Sequence, residues 1–219
     1  MTKPRTLKTK LKKLQSTTTL DLLKKHYPDA HCALNYKNPF QLLIATILSA
    51  QCTDERVNIV TSDLFKKYKK PSDLADEKIE IIETYIRSTG FYKNKAKNIK
   101  ACCNILATKY NNKVPADMSI LVQLPGVGRK TANVVLGNAF GISSGVVVDT
   151  HVTRLSNRFG WVKTDDAVKI EQTLNKIFPQ NEWIMLSHYL ISHGRSCCKA
   201  RSPHCETCFL SSSCPRRGL

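Results

Sequence analysis

The stretch Leu124-Pro125-Gly126-Val127-Gly128-Arg129-Lys130-Thr131-Ala132 lies between two segments of helical pattern and dictates how the chain turns there. Pro125 sets its own φ, while Gly126 and Gly128 permit backbone angles or close approaches closed to other residues. Beyond them, Thr131 to Ala139 can run as a helix with Val134, Val135 and Ala139 turned inward. A helix that starts from so tight a turn presents successive backbone N–H groups, and its dipole favours an anion there. The remaining residues of a P-loop are missing, so nucleoside triphosphate binding is not supported. Turns of the G-x-G kind also join helices for steric reasons alone, and this motif by itself does not choose between the two uses.

Helical signals repeat on both sides of the turn. Asn38-Pro39 followed by Phe40, Leu43, Ile44, Ile47 and Leu48 reads as a capping residue, a proline at the first helical position and an apolar face. Glu77 to Ser88 carries Ile79, Ile82, Tyr85 and Ile86 and stops at Gly90; Lys95 to Tyr110 repeats Ile99, Cys102, Cys103 and Leu106. Asp165-Asp166 opens another helix through Val168, Leu174 and Ile177 that ends before Pro179, and Asn181 to His193 makes one more, terminating at Gly194. Only Val146-Val147-Val148 looks β-like, and no βαβ alternation occurs. The predicted fold is all-α, short helices joined by short polar loops.

The chain has 219 residues, 42% of them hydrophobic, enough for one large domain or two small ones. Its formal net charge of +17 points to a polyanion, of which nucleic acid is the commonest. The longest apolar run, Leu42 to Leu48, is interrupted by Thr46 and falls well short of the roughly 20 residues a membrane span needs. Between Met1 and Leu20 stand Lys3, Arg5, Lys8, Lys10, Lys12 and Lys13 with no acid. That stretch reads as a basic arm touching phosphates or a solvated tail, and organelle targeting stays open, although such segments favour Arg over Lys. No secretory signal is evident, so a reducing compartment is expected: the cytoplasm, on the nucleoid, if the source is bacterial.

A reducing compartment favours thiolate-bound metal over disulfides, and four of the nine cysteines have a spacing of their own. Cys198, Cys205, Cys208 and Cys214 form C-x6-C-x2-C-x5-C, whereas Cys32, Cys52, Cys102 and Cys103 carry no ligand spacing and read as core thiols. Cys197 directly precedes the first ligand, and the spacing works from Cys198. Four thiolates can hold zinc or an iron–sulfur cluster, and ligand count alone does not decide.

Taken in order, the motifs resemble the endonuclease III family of DNA-repair glycosylases. The matching stretches are Leu48-Ser49-Ala50-Gln51-Cys52-Thr53-Asp54, Gly90-Phe91-Tyr92-Lys93-Asn94-Lys95-Ala96, the turn Leu124 to Ala132, Val148-Asp149-Thr150-His151, and the cysteine loop Cys198 to Cys214. The likeness runs from about Asn38 to Cys214. It implies an all-α fold of two helical lobes with DNA and an extruded base between them. One lobe, residues 33–143, would be a six-helix barrel carrying a helix–hairpin–helix at about 118–137. The other would join an N-terminal segment, 1–32, to a cluster region, 144–219, in which Cys198, Cys205, Cys208 and Cys214 hold a 4Fe–4S cluster.

The resemblance also implies a bifunctional DNA glycosylase and AP lyase of base excision repair, acting as a monomer on double-stranded DNA with oxidised pyrimidines or abasic sites. Lys130 matches the lysine whose amine attacks the sugar C1′ and forms a Schiff base. An amine attacks only when neutral, and the positive end of a helix beside Arg129 disfavours an added proton. Asp149, whose position before Thr150-His151-Val152 is equally that of an ordinary helix cap, would stabilise cationic character at the sugar. Gln51 matches the polar plug that fills the vacated stack, and Phe91 the apolar wedge, or else a loop aromatic folded onto the core. Leu124, Gly126, Val127, Gly128, Arg129, Thr131, His151, Lys199 and Arg201 complete the expected DNA contacts. A related adenine- or mismatch-specific glycosylase is the nearest rival; Lys130 argues against a purely hydrolytic version, and the chain ends soon after Cys214, leaving little room for a further recognition domain. A non-catalytic DNA-binding scaffold would be indifferent to loss of Lys130, and a zinc-bound regulator would purify colourless.

Overall fold

A computed structural model describes the backbone of residues 4–219 and the side chains of residues 15–219. The side chains of the basic stretch from Lys3 to Lys13 lie outside the described residues. The described residues form helices α1 (Pro4–His26), α2 (Pro39–Leu48), α3 (Asp54–Lys67), α4 (Pro71–Asp76), α5 (Ile79–Ile86) and α6 (Tyr92–Lys109). They continue as α7 (Met118–Leu121), α8 (Arg129–Phe140), α9 (Thr150–Arg158), α10 (Ala167–Ile177) and α11 (Trp183–Ser196). The all-α expectation therefore holds, and the chain divides into two compact units, Cys32–Ser144 and the described residues through His31 with Gly145–Leu219.

In the unit Cys32–Ser144, α2 is buried on every side from Phe40 to Leu48, as a helix at the centre of a bundle must be. Asn38 Oδ1 accepts the Gln41 N–H at 3.0 Å and Pro39 fills the first turn, so the two sequence signals for this helix act together. Helices α3, α6 and α8 pack on α2, and Cys102 and Cys103 of α6 join Ile99 and Leu106 in the core. Burial pushes the Cys102 thiol up to about 12 and the Cys103 thiol well above its ordinary value, so both stay inert, as the sequence suggested. The helix read as Lys95 to Tyr110 begins three residues earlier, at Tyr92, because the Phe91 carbonyl already accepts the Lys95 N–H at 3.1 Å.

In the other unit, α1 is continuous from Pro4, so the stretch expected as an arm or tail is helical there. No glycine or further proline interrupts it before its end, and buried Ser16, Thr19, Leu20 and Leu23 anchor its second half. Gln15 Nε2 donates to Ser213 O at 2.7 Å, Lys24 pairs with Glu182 at 2.6 Å, and the His26 ring stacks on Phe209 at 3.6 Å. The first and third of these contacts tie the N-terminal helix to the cysteine-rich C-terminal loop, and the second ties it to the turn before α11. Val146 to Val148 form no strand; Val146 and Val148 are buried in the same core cluster as Leu155 and Trp161. Helix α11 does not stop at Gly194, as its glycine suggested, but runs on to Ser196. Among the described residues no helix is long and apolar enough to cross a membrane.

Candidate active site and cysteine cluster

The predicted turn is present in the unit Cys32–Ser144, between the four-residue α7 and α8. Gly126 has φ +77°, and a Cβ there would sit 3.0 Å from Asn98 Cβ, so the position requires glycine twice over. Gly128, with an ordinary φ of −86°, is the N-cap of α8 and offers no side chain to its first turn. Helix α8 therefore starts with its amide groups uncapped by any side chain, the geometry that receives a phosphate. Lys130 stands in that first turn and is exposed, as is Arg129. Leu124 and Val127, expected among the DNA contacts, have buried side chains, each 4% exposed, and the Val127 N–H bonds to Leu124 O at 3.0 Å. Their side chains join the core of this unit. Thr131 is half-buried on the helix behind it.

Gln51 and Phe91 are both exposed and both adopt left-handed backbone angles, φ +53° and +48°. Such conformations cost a non-glycine residue roughly 1–2 kcal/mol and cluster where function fixes them. Phe91 is 69% exposed, which excludes the alternative that its ring folds onto the core. The signal in the sequence was only the flanking Gly90 and Ser49-Ala50; neither side chain betrays a positive φ.

In the second unit Asp149 caps α9, its Oδ1 accepting the Val152 N–H at 2.8 Å, and the carboxylate is half-buried. His151 follows in the first turn, half-buried, with Nδ1 3.1 Å from Arg154 Nη2. Desolvation lowers the His151 pKa, with Asp149 opposing, and an arginine donating to Nδ1 requires the neutral ring. The contacts observed for His151, expected as a DNA contact, are packing against Gly194 and the hydrogen bond with Arg154. The missing Cβ of Gly194 explains the tight fit: an added methyl carbon would lie 2.6 Å from His151 Nδ1.

Cys198, Cys205, Cys208 and Cys214 line one small pocket, open to solvent, together with Cys197, His193 and Arg158. Arg158, buried at the end of α9, donates to the Cys198 sulfur at 3.2 Å, and the Leu210 N–H points at the Cys208 sulfur at 3.4 Å. Donors aimed at sulfur stabilise thiolates, and burial followed by the neighbouring thiols raises the Cys214 pKa, a conflict that a shared cation resolves. The residues thus fit a thiolate-bound metal group. His193 Nε2, Cys197 Sγ and Cys208 Sγ also lie within 4.8 Å of one another, and the Cys197 thiol is directed at His204 O, 3.5 Å away. Lys199 and Arg201 are exposed on the same loop. Arg154 and Arg158 were missed in the sequence: they bind the carbonyls of Cys198, Lys199 and Ala200, some forty residues away, and nothing local marks them.

Residues 44–180 match the HhH-GPD superfamily of base excision DNA repair proteins, and residues 198–214 match the iron–sulfur binding domain of endonuclease III. The second match starts at Cys198 and ends at Cys214, the bounds of the cysteine spacing. The chain is 52% identical to endonuclease III of Synechocystis sp. over 93% of each chain, and 47% identical to that of Bacillus subtilis over 89% of each. A solved structure of a trapped endonuclease III–DNA covalent intermediate superimposes with a TM-score of 0.89 at 50% identity, covering 93% of this chain and 96% of that one.

Proposed function

The chain belongs to the endonuclease III family within the HhH-GPD superfamily, and on that premise we propose that Lys130 is its nucleophile and Asp149 its electrostatic partner. The protein is a bifunctional DNA glycosylase and AP lyase of base excision repair, and it holds an iron–sulfur cluster. The finer reading is ours: oxidised pyrimidines in duplex DNA and abasic sites as substrates, a monomer at work on chromosomal DNA, and a 4Fe–4S cluster on Cys198, Cys205, Cys208 and Cys214.

One observation carries this reading: an exposed lysine in the first turn of a helix whose amino end has no side-chain cap. The uncapped amides and Arg129 grip a phosphate, which brings the neighbouring sugar to the amine. The neutral Lys130 Nζ attacks C1′ as the C1′–N bond breaks, the base leaving with a proton. Asp149 stabilises positive charge on the sugar during this step and accepts the proton the amine sheds. The proton taken up by Asp149 passes to O4′ as the ring C1′–O bond opens to an iminium, which acidifies C2′. Loss of that proton expels the 3′ phosphate by β-elimination, and water then hydrolyses the iminium to release the lysine. The metal group, when bound, supplies a cationic anchor for its loop.

Reaction with an oxidised-pyrimidine duplex in the presence of borohydride tests this. The expected result is a covalent protein–DNA adduct mapping to Lys130, abolished by Lys130→Gln with damaged-DNA binding largely kept. No adduct from a metal-replete preparation overturns the assignment. Excision without strand cleavage, or an adenine mismatch preferred across a substrate panel, would favour the hydrolytic relatives.

A further inference from the structure

Lys95 is a buried lysine that the chemistry of strand cleavage does not use. At 5% exposed, it carries its charge into the core of the unit Cys32–Ser144, where an unpartnered ammonium would be strongly disfavoured. Its Nζ donates to Leu48 O at 2.7 Å and to Thr89 O at 2.8 Å. Leu48 ends α2, and Thr89 ends a 3-10 turn, Arg87–Thr89. Both acceptors are therefore carbonyls at the negative end of a helical segment, the groups that need an outside donor. The two oxygens lie within about 5.5 Å of one another, the sum of the two bonds.

The residues just beyond each acceptor give this bridge its significance. Gln51 stands three residues after Leu48, and Phe91 two residues after Thr89; both are exposed with left-handed backbone angles. The Lys95 backbone N–H also bonds to the Phe91 carbonyl, at 3.1 Å. One residue thus fastens two loops otherwise about forty residues apart in sequence. Burial lowers the Lys95 pKa, with Cys52, on the first loop, opposing. Two left-handed turns carrying exposed side chains persist only where the surroundings over-determine them, and Lys95 is what the two surroundings share.

We propose that Lys95 is a positioning residue for base extrusion, its side chain tying the turn that presents Gln51 to the turn that presents Phe91 so that the two enter the duplex as one device. The proposal rests on the reading of Gln51 and Phe91 as the residues that occupy the vacated stack. It predicts that the two loops lose their mutual register without Lys95 while each helix remains formed.

The test is single-turnover fluorescence of 2-aminopurine placed next to an oxidised pyrimidine, with Lys95→Met in the metal-replete full chain. Extrusion is expected to slow by roughly tenfold to a hundredfold, the scale of one or two lost charged hydrogen bonds. In a Gln51→Ala/Phe91→Ala background the same change is expected to add less than about twofold, because its route of action is already gone. Hydrogen exchange should quicken at 49–53 and 88–91 while α2 and α6 keep their protection. Extrusion at the parent rate overturns the proposal, and so does an equal loss in both backgrounds, which a merely structural lysine would give. If Lys95→Met fails to fold, Lys95→Gln retains one donor group and takes its place; failure of both to fold assigns Lys95 to the core at large and overturns the proposal as well. Failure of the parent protein to extrude the base, or to form the Lys130 adduct, would instead strike the proposed function itself.

Discussion

Replacing Gly194 by alanine should lower stability, against the usual sign for such a change within a helix. At an interior helical position with free space, alanine gains about 1 kcal/mol over glycine. Gly194 is buried in α11, and the added Cβ would lie 2.6 Å from His151 Nδ1, 3.0 Å from Arg154 Nη2 and 3.1 Å from His151 Cβ. Ordinary carbon contacts begin near 3.5 Å, so the imidazole must retreat by roughly 1 Å. It has little freedom to do so, since its Nδ1 is bonded to Arg154, which in turn holds Gly194 O at 3.0 Å and Cys198 O at 3.0 Å. Overpacking of this kind costs about 1–3 kcal/mol, and a weakened guanidinium hydrogen bond adds about 1.5 kcal/mol or more. The net expectation is a loss of about 1–3 kcal/mol, a fall in the melting midpoint of roughly 3–10 °C for a chain this size. Thermal unfolding of the metal-replete protein measures it, and His151→Ala in the same chain should recover most of the loss. A Gly194→Ala variant as stable as the parent, or more so, refutes the reasoning.

Asp149 serves as a cap and, in the proposed mechanism, as a charge, and two substitutions separate the roles. Asp149→Asn should stay within about 0.5 kcal/mol of the parent while base excision falls by roughly a hundredfold, and Asp149→Ala should lose about 1 kcal/mol as well; urea unfolding beside single-turnover excision reads both. His188 is held at about 4 by burial and then by nearby His31, well below its unfolded value of 6.5. The unfolded chain therefore binds the proton first, so the stability from keeping this ring neutral is present above the unfolded value and is lost as the pH falls from there through the folded one. Going from about pH 7 to about pH 5 should cost roughly 2 kcal/mol through this group, and urea midpoints for His188→Gln should show a correspondingly shallower dependence.

Features specified by neighbours in the chain were legible in the sequence. Asn38-Pro39 starts α2 because cap and proline act within one turn, and Gly126 marks the hairpin because its φ is a local demand. The cysteine spacing works in the same way, since its ligands stand close together in one loop. Features set by distant partners were hidden. Gly194 looked like a helix stop, yet what it accommodates is His151, far away in sequence. Lys95 looked like one more polar residue at the start of a helix, although its acceptors lie 47 and 6 residues upstream. Leu124 and Val127 belong to the right motif but face the core, a distinction that only packing makes.

The hidden contacts also explain why the cysteine loop and the aspartate belong to one apparatus. Asp149 is the N-cap of α9, His151 is in its first turn, Arg154 lies in its middle and Arg158 ends it. Both arginines bond to the Cys198 carbonyl, and Arg158 also reaches the Cys198 sulfur and the carbonyls of Lys199 and Ala200. A nine-residue helix spans about 14 Å and transmits a displacement at one end to the other with little loss. Fixing Cys198 therefore fixes the far end of the helix that aims Asp149. Removing the metal group would loosen the cysteine loop that seats the buried Arg158 and the half-buried Arg154, and α9 is the element expected to lose its seat. In the proposed mechanism these contacts give the cysteine loop a structural part, since they seat the helix that Asp149 caps.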